Sequence, residues 1–305
     1  MSELWEELQL GETIRWLGTD INYTFLQYFP DYYLDGSGYA SWYDDVVDTA
    51  KGFNAFSIKQ EQATYYLLEE SGSSKVVGDY ANNIEYRVSF SDVINFTFAE
   101  QNQNGNNVGE ITFLHSSLDN GDDGYAFRPT AFGVGGDTTG KGDVFLKSDR
   151  LDNRDENYDI GDNWFHALLH ELGHGFGGLG HPHDTSLAST IYDSHKYTMM
   201  SYSAYQGVIT SGLQLLDIAA IQDTYGSQNI TTRSGDTAYA LGQGLGVHGA
   251  NKTDGFLYTI WDGNGTDTIN ASGFSDLQDI HGVYHGVEID LREGHFSSIG
   301  LNGFG

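Results

Sequence analysis

The stretch Asp162–Pro182, DNWFHALLHELGHGFGGLGHP, leaves this 305-residue chain the fewest options. Set on a helix at about 100° per residue, Trp164, Phe165, Leu168, Leu169, Leu172 and Phe176 fall within roughly 140° of one another, a stripe wide enough to face a core. His166, His170 and His174 form a separate arc of about 80°, with Glu171 to one side. His170 and His174 are four apart, so both imidazoles leave one face, one turn apart. Two neutral imidazoles at that spacing suit Zn²⁺, and a glutamate after the first can reach water on the ion without ligating it. This HExxH spacing also occurs by chance, so its surroundings decide. Gly173, Gly175, Gly177, Gly178 and Gly180 predict an abrupt helix end, because glycine is costly inside a helix and suits a left-handed cap. Two more histidines, His181 and His183, follow the turn, and either could return to the same ion. Downstream, Thr198-Met199-Met200-Ser201-Tyr202 supplies a methionine turn followed by a tyrosine.

Composition narrows the partners. The chain has 43 acidic and 14 basic residues and a formal charge of −29, which argues against nucleic acid or anionic membrane surfaces. It suits Ca²⁺ binding, a saline medium or plain solubility. With no cysteine, disulfides and thiol catalysis are excluded. No apolar run approaches the ~20 residues of a membrane span, and MSELWEELQL lacks a signal-peptide pattern.

Taken in order, residues 1–13 read as a short helical or loose leader without chemistry. Alternation predicts strands over 14–28 and 86–98, and shorter ones at 110–115, 125–128 and 144–147. Residues 29–53 read as a long surface loop. Ser57-Ile58-Lys59-Gln60 has the form of a capping box opening a helix to about Glu70. Residues 101–107 form a polar turn and 183–195 an irregular loop. A helix is expected over 213–225, with Ser211 as cap and Gly226 as stop. Near 227–230 helical periodicity ends, which sets the expected boundary between residues 1–229 and 230–305. Beyond it the chain is Gly/Asp/Thr-rich with β-like runs at 256–261 and 287–291.

The motifs HELGHGFGGLGHP, YTMMSY, LQLLDIAAIQDTYG, TTRSGDTAY and WDGNGTDTI occur in an order that resembles the serralysins, a family of the metzincin clan. The resemblance runs from about Ile14 onward, most strongly after residue 160. It implies an α+β fold: a metzincin-type catalytic domain, with a twisted mixed sheet and an active-site helix, followed by the start of a calcium-binding β-roll or β-sandwich domain. The strand at 125–128 would be the sheet edge above that helix, where an extended peptide can add by main-chain hydrogen bonds. It also implies site residues. Zinc would be held by His170, His174 and His181, with Tyr202 as a further ligand that helps hold the tetrahedral intermediate, Glu171 as general base, and Met200 as an apolar floor. Ca²⁺ would be held by carbonyls of Arg233, Gly235, Thr237 and Asn264 with Asp262 and Asp267, and Gly265 and Asp267 would begin a second site. Oxygen-only donors suit Ca²⁺. One departure is an extra residue, since Gly178, Leu179 and Gly180 separate Gly177 from His181 where the clan has two. His181 precedes Pro182, as the family's third ligand precedes proline, which favours it over His183. His166 is expected not to ligate, and His115, His195, His248, His281, His285 and His295 have no ligand spacing.

The reading that follows is a secreted zinc endopeptidase acting on protein or peptide substrates, leaving the cell by a type I route, and working as a monomer. A proteinaceous inhibitor is a further candidate partner. Gly263–Ile269 resembles one degenerate calcium-binding nonapeptide, and a single copy does not make a solenoid, so an array is expected beyond Gly305. Two rival classes stay open. One is an inactive metzincin-like calcium-binding module whose zinc site the insertion has altered. The other is a narrower hydrolase of the clan, astacin-like or matrixin-like, against which the LLDIAAIQDTYG and TTRSGDT segments speak.

Overall fold

Ile21, Tyr23 and Phe25 alternate along the chain, and they do lie in a strand, β1 (Asp20–Phe25), facing the main core. A computed structural model of the chain describes residues 4–10, 15–30, 47–48, 53–69, 74–77, 80, 88–118, 123–129, 142–148, 158–205, 207–227, 232–240, 257, 259–271 and 287–299. Its central element is a sheet in the order β3 (Thr97–Glu100), β1, β4 (Ile111–Leu118), β6 (Val144–Lys147), β5 (Gly124–Ala126). The first four strands are mutually parallel, and β5 runs antiparallel to β6 along the edge. A short β2 (Val47–Asp48) adds antiparallel to the far end of β4, within the stretch expected to be loop, much of which lies outside the described residues. β4 is buried along nearly its whole length, as an interior strand of a parallel sheet must be.

Period two sorts the side chains onto the two faces. Val144 and Leu146 join the main core, while Phe145 joins a smaller cluster with Leu26, Leu114 and Leu118. The main core takes in α1 (Ile58–Leu68), α3 (Asn163–Gly175) and α4 (Leu215–Tyr225), with Tyr66 of α1 edge-on to Phe165 of α3 at 6.0 Å. The result is a mixed α+β architecture with a parallel-dominated sheet.

Local chemistry explains the boundaries. Ser57 and Gln60 form the reciprocal capping box their spacing predicts, and α1 begins at Ile58. Gly226, at φ 83°, ends α4 as expected. The start of α4 differs from expectation. It is capped by Gln214, whose N–H donates to Asp217 at 2.9 Å, while Ser211 turns away to the Leu257 carbonyl. The strand expected over 86–98 is interrupted. Ser89 and Asp92 close a capping box around a single helical turn, α2 (Phe90–Val93), before β3 resumes at Thr97; residues 86–87 lie outside the described set. A four-residue helix carries the same short apolar alternation as a strand, and the cap decides between them.

Past α4, β7 (Ala238–Ala240) pairs parallel with β8 (Thr268–Asn270), and β9 (Val287–Glu288) antiparallel with β10 (Ser298–Ile299). The strand expected at 256–261 reduces, among the described residues, to one bridge between Leu257 and Thr210. The N-terminal leader is not loose where described. Leu4–Leu8 forms a 3₁₀ turn, Leu8 is fully buried, and Gln9 bridges to Leu179.

Candidate metal centre

The amphipathic stripe of α3 fixes which way its histidines point. Phe165, Leu168, Leu169 and Leu172 are fully buried in the core, which turns His166, His170 and His174 towards the loop after the helix. Two of the glycines expected to end the helix lie inside it. A Cβ on Gly173 would collide with the side chains of Met199 and Met200, and one on Gly175 would stand 2.8 Å from the Gly142 carbonyl. Their role is close approach. Termination falls to Gly178 at φ 67°, after which the N–H groups of Gly178 and Leu179 take the His174 and Gly173 carbonyls. Gly180 has no left-handed φ; it leaves room for Leu10.

This turn brings three ring nitrogens together. His181 Nε2 lies 3.1 Å from His170 Nε2 and 2.9 Å from His174 Nε2. The outer nitrogens are all committed. His170 Nδ1–H donates to the Met199 carbonyl at 3.1 Å, His174 Nδ1–H to the Leu179 carbonyl at 2.7 Å, and His181 Nδ1–H to Asp184 at 3.3 Å. A carbonyl or carboxylate can only accept, so the three Nε2 atoms face one another without a ring proton, and the Tyr202 hydroxyl supplies one donor, to His181. That arrangement repels unless a cation or proton lies among them. Nitrogens at 2.0–2.1 Å from a tetrahedral Zn²⁺ stand about 3.3 Å apart, within a few tenths of an ångström of the observed separations. The donor set therefore fits zinc. Burial holds His170 down at about 3 and His174 well below the ordinary histidine range, and lowers His181 as well, so all three are neutral, as ligands must be.

The remaining expected residues gather around this cluster. Glu171 is buried beside the edge strand, so close that a Cβ on Gly124 of β5 would meet its Oε1 at 2.8 Å. Tyr202 is 67% exposed and its hydroxyl donates to His181 Nε2 at 2.9 Å. Met200 is fully buried under the helix at Gly173. His183 is outside the trio, its ring stacked on His181 at 4.8 Å. With His181 and Asp184 it forms a second, more exposed donor group. His166 donates to the Met199 carbonyl at 3.1 Å and its ring lies 4.2 Å from that of His195, tilted by 37°.

One residue that sequence reasoning passed over is Asp217 of α4. Fully buried, it accepts the Thr198 hydroxyl at 2.6 Å and the N–H groups of Met199 and Gln214, both at 2.9 Å. It thus ties α4 to the methionine turn whose Met199 carbonyl holds His170 and His166. Burial pushes its carboxyl up to about 7 against the lowering by those three donors. A lone acid inside the apolar run LLDIAAI was the available signal.

The residues expected to hold Ca²⁺ are brought together by β7 and β8. Asp262 accepts the Tyr239 hydroxyl at 2.5 Å and the Asn264 N–H at 3.1 Å, and Asp267 accepts the Thr237 N–H at 2.9 Å. Gly265, at φ 135°, packs against both the Gly235 carbonyl and Asp267 Oδ1, where a Cβ would stand 2.5 and 2.9 Å away. Arg233, at φ 49°, turns its guanidinium to the Trp261 carbonyl at 2.8 Å. Among the described residues, convergent groups of three His or acidic donors occur only around His181, so an ion here would lean on carbonyl oxygens.

Three converging imidazoles next to a glutamate, on an α+β frame with an antiparallel edge strand alongside, make a potential metal site of the HExxH pattern. Sequence comparison gives the family. Residues 228–303 match the family Peptidase M10 serralysin C terminal. The chain is 31% identical over 236 residues to Metallopeptidase AprA of Pseudomonas marginalis, covering 70% of this chain and 46% of that protein. Serralysin B of Dickeya chrysanthemi is 30% identical over 238 residues, 70% of this chain and 45% of its own. Metalloprotease AprA of Pseudomonas entomophila is 28% identical over 320 residues, 97% of this chain and 55% of its own. The chain belongs with the serralysin-type proteins of peptidase family M10, and it spans about half the length of the relatives it matches.

Proposed function

We propose that this chain is a zinc-dependent endopeptidase of serralysin type, with a metzincin catalytic domain over residues 1–229 and the beginning of a calcium-binding β domain over 230–305. The observation that carries the reading is the convergence of three Nε2 lone pairs, each outer nitrogen held by an acceptor. His170, His174 and His181 would hold the ion, which when bound supplies Lewis acidity to the scissile carbonyl and to water. Glu171, buried alongside, takes the water proton on a carboxylate oxygen and returns it to the leaving amine. The Tyr202 hydroxyl, exposed and able to turn from His181, donates to the developing oxyanion. β5 has a neighbour only on its β6 side among the described residues. Its free edge beside Glu171 suits an extended substrate backbone that adds as a further strand.

This geometry favours an enzyme over an inactive calcium-binding relic, because the inserted residue is absorbed at Gly178 without removing His181 from the cluster. The reading includes secretion to the outside of the cell and protein or peptide substrates, with a proteinaceous inhibitor as a further partner. Among the described residues no helix is long and apolar enough to cross a membrane. Hydrolysis of casein that stops with a zinc chelator and returns with added Zn²⁺ is the expected result. Hydrolysis untouched by the chelator, or none in zinc-loaded protein, would refute it.

Calcium has its own readout. With Asp267 held beside the Gly235 and Thr237 backbone and Asp262 held by Tyr239 and Asn264, an ion that binds only the folded state should raise the thermal midpoint as Ca²⁺ goes from micromolar to millimolar. Asp262→Ala and Asp267→Ala should lose that rise. A midpoint indifferent to Ca²⁺ in the unaltered chain counts against the assignment.

A further inference from the structure

Leu179 and Gly180 lie between the second and third histidines of the cluster, and both are gripped from outside their loop. Gln9 pairs with Leu179 in an antiparallel bridge, and the Gly180 N–H donates to the Leu8 carbonyl at 2.7 Å. Leu179 is also the residue whose carbonyl accepts His174 Nδ1–H, and Gly180 immediately precedes His181. The gripping segment is itself fixed at several points. Leu8 is fully buried, and the Gln9 amide donates to the Ala220 carbonyl at 3.1 Å, Asp223 Oδ2 at 2.9 Å and Thr224 Oγ1 at 3.2 Å, all on α4. Glu7 accepts the Ser186 N–H at 3.3 Å, beyond the third histidine.

We propose that residues 4–10 are a strap that positions the metal-binding histidines, with Gln9 as its clasp. The proposal rests on the zinc reading above. The loop it holds contains Gly177, Gly178 and Gly180 around Leu179, a sequence with little conformational preference of its own, so outside contacts must select the one conformation that aims Leu179 O at His174 and delivers His181. α4 thereby reaches the cluster twice: through Asp217 and the methionine turn to His170, and through Gln9 and the strap to His174 and His181. Groups that hold the outer nitrogen of a metal-binding histidine are typically worth 10–100-fold in metal affinity.

Gln9→Glu tests this in the full chain, because it keeps the shape but sets a carboxylate against the Ala220 carbonyl and Asp223. Removal of residues 1–10 is the second variant, with a peptide of residues 1–12 added back in trans. Zinc loss to an excess of chelator is followed beside the urea midpoint of the metal-free protein. Both variants are expected to lose zinc about tenfold faster or more, and the peptide is expected to slow the loss again. Gln9→Glu should leave the metal-free midpoint little changed, whereas the deletion also removes the buried Leu8 and should lower it. Zinc loss within about twofold of the unaltered chain in both variants overturns the strap. So does faster loss in Gln9→Glu matched by an equal fall in metal-free stability, which would mark a merely structural segment. An unaltered chain that took up no zinc would refute the metal reading itself, and the strap with it.

Discussion

Glu171→Gln is expected to abolish proteolysis while leaving zinc in place. The amide keeps the size of the side chain buried beside Gly124 but cannot accept a proton, and the ion is held by other residues. General-base catalysis contributes about 10²–10⁴-fold, so kcat should fall by at least that range. Zinc content should stay at the level of the unaltered protein, and the thermal midpoint should move little. Near-normal turnover in Glu171→Gln would remove the proposed proton carrier. Zinc loss in the same variant would mean that Glu171 supports the ion rather than the chemistry.

The second large effect is on stability and belongs to Asp217. Asp217→Ala leaves the Thr198 hydroxyl and the N–H groups of Met199 and Gln214 without their acceptor in a fully buried place. Unsatisfied buried donors cost about 1–3 kcal/mol each, so three of them put the expected loss at about 3 kcal/mol or more. Asp217→Asn retains an acceptor for the backbone donors and should cost less, and it isolates a pH effect. The carboxyl sits at about 7 in the folded chain and near 3.9 when unfolded. Below pH 4 both states are protonated and the contribution to stability is complete. As pH rises towards 7 the unfolded chain ionises first and pulls the equilibrium its way. Wild-type stability should therefore fall relative to Asp217→Asn between pH 4 and 7, by up to about 4 kcal/mol, and level off above. Urea unfolding of the two proteins at pH 4, 5.5 and 7 gives the difference directly. Parallel curves across that range would show that Asp217 is ionised in the native state throughout.

The parts of this protein that were legible in its sequence are those written in neighbouring residues. β6 was predicted over the residues it occupies, Val144–Lys147, because a short apolar run between Gly/Asp loops has few other uses. Ser57 with Gln60, and Gly226, fixed helix ends through contacts three or four residues apart. The arc of His170 and His174 follows from helical geometry alone. What stayed hidden depends on pairing across long distances. The grip of Gln9 and Leu8 on Leu179 and Gly180 leaves no periodic mark in MSELWEELQL. Asp217 is in sequence only an acid within LLDIAAI, because its partners Thr198 and Met199 lie 19 and 18 residues away. Gly173 and Gly175 were read as helix breakers because their absent side chains serve neighbours, Met200 and Gly142, that are far away in sequence. The strand expected across 86–98 was overridden by Ser89 and Asp92, a cap that the apolar alternation masks.

Whether His170, His174 and His181 hold zinc despite the longer loop is tested most directly by counting zinc in the unaltered chain, in His181→Ala and in His183→Ala. His181 Nε2 lies 2.9 and 3.1 Å from its two partners, whereas His183 only stacks on the outside of the His181 ring. One tightly held zinc per chain is expected in the unaltered protein and in His183→Ala, and its loss in His181→Ala. Loss confined to His183→Ala would mean that the inserted residue has moved the third ligand. Loss in neither would leave a two-histidine site and contradict the three-histidine assignment.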